Sequence, residues 1–115
     1  MAASASVPSS ELELHTEKNA DETIVHGKGR ITSASTDLFQ TTIRGLIPGC
    51  KRIVLDLTSV DYIDSSGLGA LVSVYMAAGR ANCDLELANP KPRVMDLLKI
   101  TKLASVFEGH HFGGL

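Results

Sequence analysis

Hydrophobic and polar positions alternate twice near the start of the chain. Glu11-Leu12-Glu13-Leu14-His15 repeats every second residue, and Thr23-Ile24-Val25-His26-Gly27-Lys28 follows after the turn-prone Lys18-Asn19-Ala20-Asp21. That period belongs to half-buried strands. From Ser35 the spacing changes: Phe39, Ile43, Leu46 and Ile47 fall at i, i+4, i+7 and i+8, with Ser and Thr caps upstream and Pro48-Gly49 as a stop, which predicts a helix. Arg52-Ile53-Val54-Leu55-Asp56-Leu57 is a continuous apolar, β-branched run, the pattern of a central strand covered on both faces by helices. A second helix should begin at Asp64-Ser65-Ser66-Gly67, carry Leu68, Leu71, Val72, Tyr75 and Met76 as its stripe, and end near Gly79 to Asn82. Asp84-Leu85-Glu86-Leu87-Ala88 alternates again as a strand. Asn89-Pro90-Lys91-Pro92 opens a third helix with Val94, Leu97, Leu98 and Thr101 on one face, leaving room for a short last strand around Ala104 to Phe107.

The order β-β-α-β-α-β-α predicts a single α/β domain, a mixed sheet of four to five strands with helices packed on it. Residues 1–10 hold Ala, Ser, Val and Pro without a period and read as a flexible leader. Residues 11–107 form the expected domain, and 108–115 a flexible tail.

Composition narrows the function. At 115 residues, 43% hydrophobic and 21% charged, the chain has the make-up of one globular domain. No run approaches the ~18 apolar residues of a membrane span, and residues 1–10 lack a signal peptide's basic start and apolar centre, so no membrane is expected as a partner. Cys50 and Cys83 form neither a C-x-x-C pair nor a disulfide framework, which suits a reducing cytoplasm. Net charge is −2: five acids against Lys18 put the part before Thr23 at −4 and the remainder at +2. Lys91, Arg93, Lys99 and Lys102 are interrupted by Asp96 and interleave with no aromatic residue, so no direct nucleic-acid partner is expected.

Candidate chemistry concentrates in Val60-Asp61-Tyr62-Ile63-Asp64-Ser65-Ser66-Gly67-Leu68-Gly69, where two hydroxyls and a carboxylate meet the unpaired N–H groups of a helix start. Asp64, Ser65 and Ser66 can be helix caps, or a serine here can be a phosphorylation site; the pattern alone does not choose. Catalysis is disfavoured, because the nucleophile elbow G-x-S-x-G is absent around Ser65 and Ser66. Gly67-Leu68-Gly69-Ala70-Leu71-Val72 lacks the last small residue of a dinucleotide fingerprint, and no P-loop occurs. His110-His111 with Glu108 has no matching further metal ligands. Tyr62 and Leu68 are candidates for an exposed apolar partner patch.

Ile53-Val54-Leu55-Asp56-Leu57, the segment Val60 to Gly69, and Asn89-Pro90 through Leu103 together resemble the STAS domain of anti-sigma factor antagonists, over roughly Glu11 to Phe107. The resemblance implies partner switching. The unmodified antagonist binds an anti-sigma factor that is also a serine kinase of the GHKL type, frees the sigma factor, and is disabled when phosphorylated. A PP2C-type phosphatase restores it. By the same resemblance Ser65 is the modified hydroxyl, Asp64 its flanking acid and Ser66 its helix-capping neighbour, with Gly67, Leu68 and Tyr62 completing the partner surface. The kinase would bring ATP and magnesium, so no cofactor is expected on this chain, and weak homodimerisation is left open. The chain departs from the family at Gly29-Arg30-Ile31-Thr32, where members often carry Gly-Glu-Leu-Asp. Arg30 and Thr32 therefore change the acids on which the kinase would dock. The alternative is a constitutive STAS adaptor, or a stressosome-like module not acting on a sigma factor.

Overall fold

The computed structural model describes residues 11–101. Strands β1 (Leu12–Asn19) and β2 (Glu22–Ile31) form an antiparallel hairpin through Ala20-Asp21. Helix α1 (Thr36–Leu46) leads to β3 (Arg52–Ile63), which runs parallel to β2. Helix α2 (Ser65–Arg80) leads to β4 (Asp84–Ala88), parallel to β3, and α3 (Pro92–Ile100) follows. The sheet order is β1-β2-β3-β4, so the apolar β3 run is interior, as its composition predicts. This is the expected single α/β domain with a mixed four-stranded sheet.

Both parallel crossovers step the same way along the sheet, and right-handed connection then puts α1 and α2 on one face. They pack together there: Arg44 Nη2 donates to Ser73 Oγ at 2.6 Å, and Ser73 Oγ donates to Gln40 Oε1 at 3.2 Å. Phe39 and Ile43 of α1, Leu71 and Val74 of α2, and Val25, Ile53, Leu55, Leu57 and Leu85 of the sheet are fully buried in one cluster.

Three details differ from the sequence pattern. First, β3 runs six residues beyond Leu57, to Ile63. Register shifts between His26 and Lys28 and between Gly29 and Arg30 give β3 extra residues, so its alternation is broken by bulges although Val60 and Ile63 remain buried. β4 pairs only with Arg52–Asp56, and α3 packs along the part of β3 that overhangs it, where Lys91 Nζ donates to the Asp61 carboxylate. Second, α2 is rotated. It buries Gly67, Leu68, Ala70, Leu71, Val74 and Ala78, while Val72 and Tyr75 are half-buried and Met76 is 55% exposed. Third, helices α1 and α2 cover only one face of β3. Among the described residues, Val54 on the other face is flanked in register by Ile24 and Glu86, beneath an Arg52 that pairs with Glu22 at 3.2 Å and Glu86 at 2.8 Å. That pairing buries Glu86 in a strand expected to alternate. In α3, Val94 and Leu98 are buried, Leu97 is half-buried and Thr101 is exposed. The leader, the tail and the strand expected at Ala104 to Phe107 lie outside the described residues.

The sheet's polar face also holds a cross-strand triad. His26 Nδ1 lies 2.7 Å from Asp56 Oδ2 and Nε2 lies 2.8 Å from Glu17 Oε1, linking β1, β2 and β3. Ionised carboxylates only accept, so this geometry favours the protonated ring, which donates from both nitrogens. The Glu17 hydrogen bond is the main cause raising the His26 pKa above 6.5; burial opposes it and Asp56 adds to it. For Asp56, burial pushes upward but is outweighed by hydrogen bonds from Thr58 and His26, so its pKa falls below 3.8. The His26 contribution is complete below 6.5 and is lost as pH rises through the raised value. The Asp56 contribution is present above 3.8 and is lost as pH falls through the lowered value. We expect urea stability to drop as pH rises from below 6.5 through the raised His26 value, by less than about 1 kcal/mol, the triad being partly exposed. His26→Gln should remove most of that drop; an unchanged slope in the variant would assign it to other groups.

Candidate functional site

β3 passes into α2 at Asp64, whose backbone is extended (φ −99°, ψ −173°). Its Oδ1 accepts the Gly67 N–H at 2.8 Å, one of the orphan donors of the first helical turn. Its Oδ2 accepts the Ser33 N–H at 3.4 Å, and its own N–H donates to Ile31 O at 3.3 Å. Of the three cap candidates, Asp64 therefore supplies the cap and Ser66 does not. One carboxylate joins the start of α2 to the loop between β2 and α1.

Ser65 and Ser66 lie exposed on the first turn of α2. Tyr62 is 43% exposed at the end of β3. Gly67 and Leu68 are buried and shape the turn from within rather than presenting side chains to a partner. The approach at Gly67 is close: a Cβ there would stand 2.1 Å from Ile31 O and 2.8 Å from Ile63 Cγ2. Only glycine allows α2 to sit this near β2.

The loop between β2 and α1, which meets the Asp64 carboxylate, left little trace in the sequence pattern. Thr32 N–H donates to Ser35 Oγ at 3.0 Å, Ser35 Oγ donates to Arg30 O at 2.9 Å, and Ala34 N–H donates to Thr32 Oγ1 at 3.2 Å. Thr32 Oγ1 also donates to Glu11 Oε1 at 2.6 Å. Thr32, a departure from the usual family acid, is thus a fastening of the loop that presents Ser33 to Asp64. Its only advance signal was a Thr-Ser-Ala-Ser run, whose hydroxyls favour local turns. Just before the cap, the Lys91 hydrogen bond and charge hold the Asp61 carboxyl below the usual carboxylate range, with Arg30 and Arg93 adding to the effect. Tyr62, Val94, Leu97 and Ile100 line an apolar groove between the end of β3 and α3, beside the turn.

The arrangement offers an exposed hydroxyl at a helix start, where the dipole favours an added anion. Among the described residues no group of three or more His, Cys, Asp and Glu side chains is placed to hold a metal ion, and no helix is long and apolar enough to cross a membrane. His110 and His111 lie outside the described residues.

The STAS domain family model matches residues 13–113. A STAS-domain containing protein of Pseudomonas aeruginosa is 29% identical over 90 residues, covering 78% of this chain and 89% of its own. BtrV of Bordetella bronchiseptica, named as a candidate anti-sigma factor antagonist, is 30% identical over 81 residues, 70% of each chain. The anti-sigma factor antagonist SpoIIAA in its unphosphorylated form superposes with a TM-score of 0.70 at 17% identity, over 80% of this chain and 83% of its own. Its phosphorylated form, from Bacillus, gives 0.65 at 16%, over 80% and 86%. The likeness to SpoIIAA is one of fold.

Gly67→Ala should destabilise the domain by about 1–3 kcal/mol, because the colliding atom is backbone and α2 must shift. Gly69→Ala, whose Cβ meets nothing within 4 Å, should be stabilising by about 0.5–1 kcal/mol. Asp64→Ala should lose about 1 kcal/mol with the cap. Urea unfolding of the three variants reads these differences, and equal effects at Gly67 and Gly69 would contradict the close approach.

Proposed function

This chain belongs to the STAS domain family, and we propose that it is an anti-sigma factor antagonist gated by phosphorylation of Ser65. In this reading the unmodified domain binds an anti-sigma factor that is also a GHKL-type serine kinase and releases a sigma factor. A PP2C-type phosphatase reverses the modification. The observation that carries the reading is the division of labour at the helix start: Asp64 alone supplies the cap, so Ser65 is exposed and its hydroxyl is not needed to cap α2.

The physical effect of a phosphate on Ser65 follows from its place. At the first turn the helix dipole favours the added charge by about 0.3–1 kcal/mol, while Asp64 beside it opposes. The fold should therefore tolerate the modification. A partner surface shaped for a neutral hydroxyl should not, because the dianion would have to be desolvated beside a second negative group. Tyr62, Ser65 and Ser66 would face the partner, with Asp64 and Gly67 holding the turn.

A second reading, a constitutive adaptor in which Ser65 is never modified, is favoured by Arg30, exposed where family members often carry an acid. Native-lysate capture with wild type, Ser65→Ala and Ser65→Asp, read by mass spectrometry with phosphosite mapping, separates the two. The switch predicts that wild type and Ser65→Ala retain a serine kinase that Ser65→Asp loses, at unchanged melting temperature, with phosphate found on Ser65 of the wild type. Capture of the same non-kinase partner by all three, with Ser65 unmodified, would establish the adaptor.

A further inference from the structure

On the polar face of the sheet, β1 and β2 set two imidazoles side by side. His15 and His26 are directly opposed in the antiparallel register, and their ring centroids stand 6.2 Å apart at a tilt of 30°. Opposed residues of such a pair share a face and have Cβ atoms about 4.5–5.5 Å apart. The rings border a shallow cavity of about 320 Å³ together with Glu13, Lys28 and Ser59, which leaves room beside them.

We propose that His15 and His26 form a binding site for a divalent transition-metal ion of the zinc, nickel or copper type, held by one nitrogen of each ring. Such ions bond imidazole nitrogen at about 2.0–2.1 Å, which puts the centroids of two rings sharing one ion roughly 5–6 Å apart. The observed spacing is just outside that range, and His15, exposed on the sheet, closes it by a small rotation. Imidazole donors suit these ions, whereas magnesium and calcium require oxygen.

His26 has the surroundings of a ligating histidine. Its Nδ1 faces Asp56 Oδ2 at 2.7 Å, and the other carboxylate oxygen of Asp56 accepts the Thr58 N–H at 3.0 Å and the Thr58 hydroxyl at 2.6 Å. A metal-bound histidine almost always spends its second nitrogen on such a partner, which sets the ring's orientation and makes the first nitrogen a better donor. Nε2 is therefore the ligating atom. It now meets Glu17 Oε1 at 2.8 Å through a proton. On binding, that proton goes to solvent, the Nε2 lone pair takes the ion, and the exposed Glu17 side chain gives up its hydrogen bond. Glu13, Glu17 and Asp56 outnumber Lys28 around the two rings, so the local charge favours a cation. Among the described residues no third His, Cys, Asp or Glu is already placed on the same point, so water completes the coordination. None of these residues belongs to the turn from Asp64 to Gly67, and the site stands whether or not Ser65 is modified.

The test is calorimetric titration of Zn²⁺ into the full chain at neutral pH, with His110→Ala and His111→Ala introduced so that those imidazoles do not contribute. One ion per chain should bind, and magnesium should give no heat of binding. Adding His15→Ala, which leaves the hydrogen bonds of His26 to Glu17 and Asp56 in place, should weaken binding by about tenfold or more, and His26→Ala should do the same. Zn²⁺ should also raise the urea midpoint of the parent chain and not that of the His15→Ala variant, because only the folded register brings the rings together. Equal affinity with and without His15, binding that persists undiminished in the urea-unfolded chain, or no bound ion at all would each overturn the proposal.

Discussion

The close approach of α2 to β2 at Gly67 governs the end of this domain that carries Asp64 and Ser65. A side chain at that position would enter the Ile31 carbonyl, so the glycine sets how near the helix lies and which way it is rotated about its axis. The rotation decides the rest of the stripe: Ala70, Leu71, Val74 and Ala78 turn inward, and Met76 turns out. Asp64 fixes the same junction from the polar side, through the N–H groups of Gly67 and Ser33. Packing and capping thus act on one turn, and the two serines between them are left at the surface.

That separation of roles would let a group added to Ser65 be carried without weakening the fold. Were Ser65 the cap, a phosphate there would remove a structural hydrogen bond. Because Asp64 is the cap, a modified Ser65 changes charge and shape at the surface while the helix start is held from beneath. The loop from Arg30 to Ser35, fastened by Thr32 and Ser35 to its own backbone and to Glu11, keeps the opposing side of the turn in a fixed place. The alternate composition at Arg30 and Thr32 therefore has two parts: Thr32 is internal mortar, and Arg30 is outward charge.

The opposite end and the open face of the sheet carry different chemistry. Glu17, His26 and Asp56 bridge three strands through the imidazole ring, and Arg52 bridges Glu22 and Glu86 on the same polar side. Among the described residues, Val54 on this face lies between Ile24 and Glu86 in register. Cys50 and Cys83 stand just before β3 and β4, brought to the same end of the sheet by the parallel crossover through α2 across a spacing of more than thirty residues.

Local pattern was sufficient for the order of strands and helices, for the interior place of the Ile53–Leu57 run, and for the start of α2 at Asp64, because periodicity and helix-start residues act over a few positions. The resemblance carried by those same residues named the family. Other features depended on contacts between distant segments. The bulges that lengthen β3 arise from its register with β2; the rotation of α2 from Gly67 against Ile31; the choice of Asp64 as the cap, and the burial of Leu68, from that same seat. The His26 triad joins residues that no local window contains. The sequence by itself determined which elements form and where chemistry gathers, since those depend on neighbours along the chain. Only the tertiary structure decided which side chains face solvent, which are spent on the fold and which remain available, since those depend on neighbours in space.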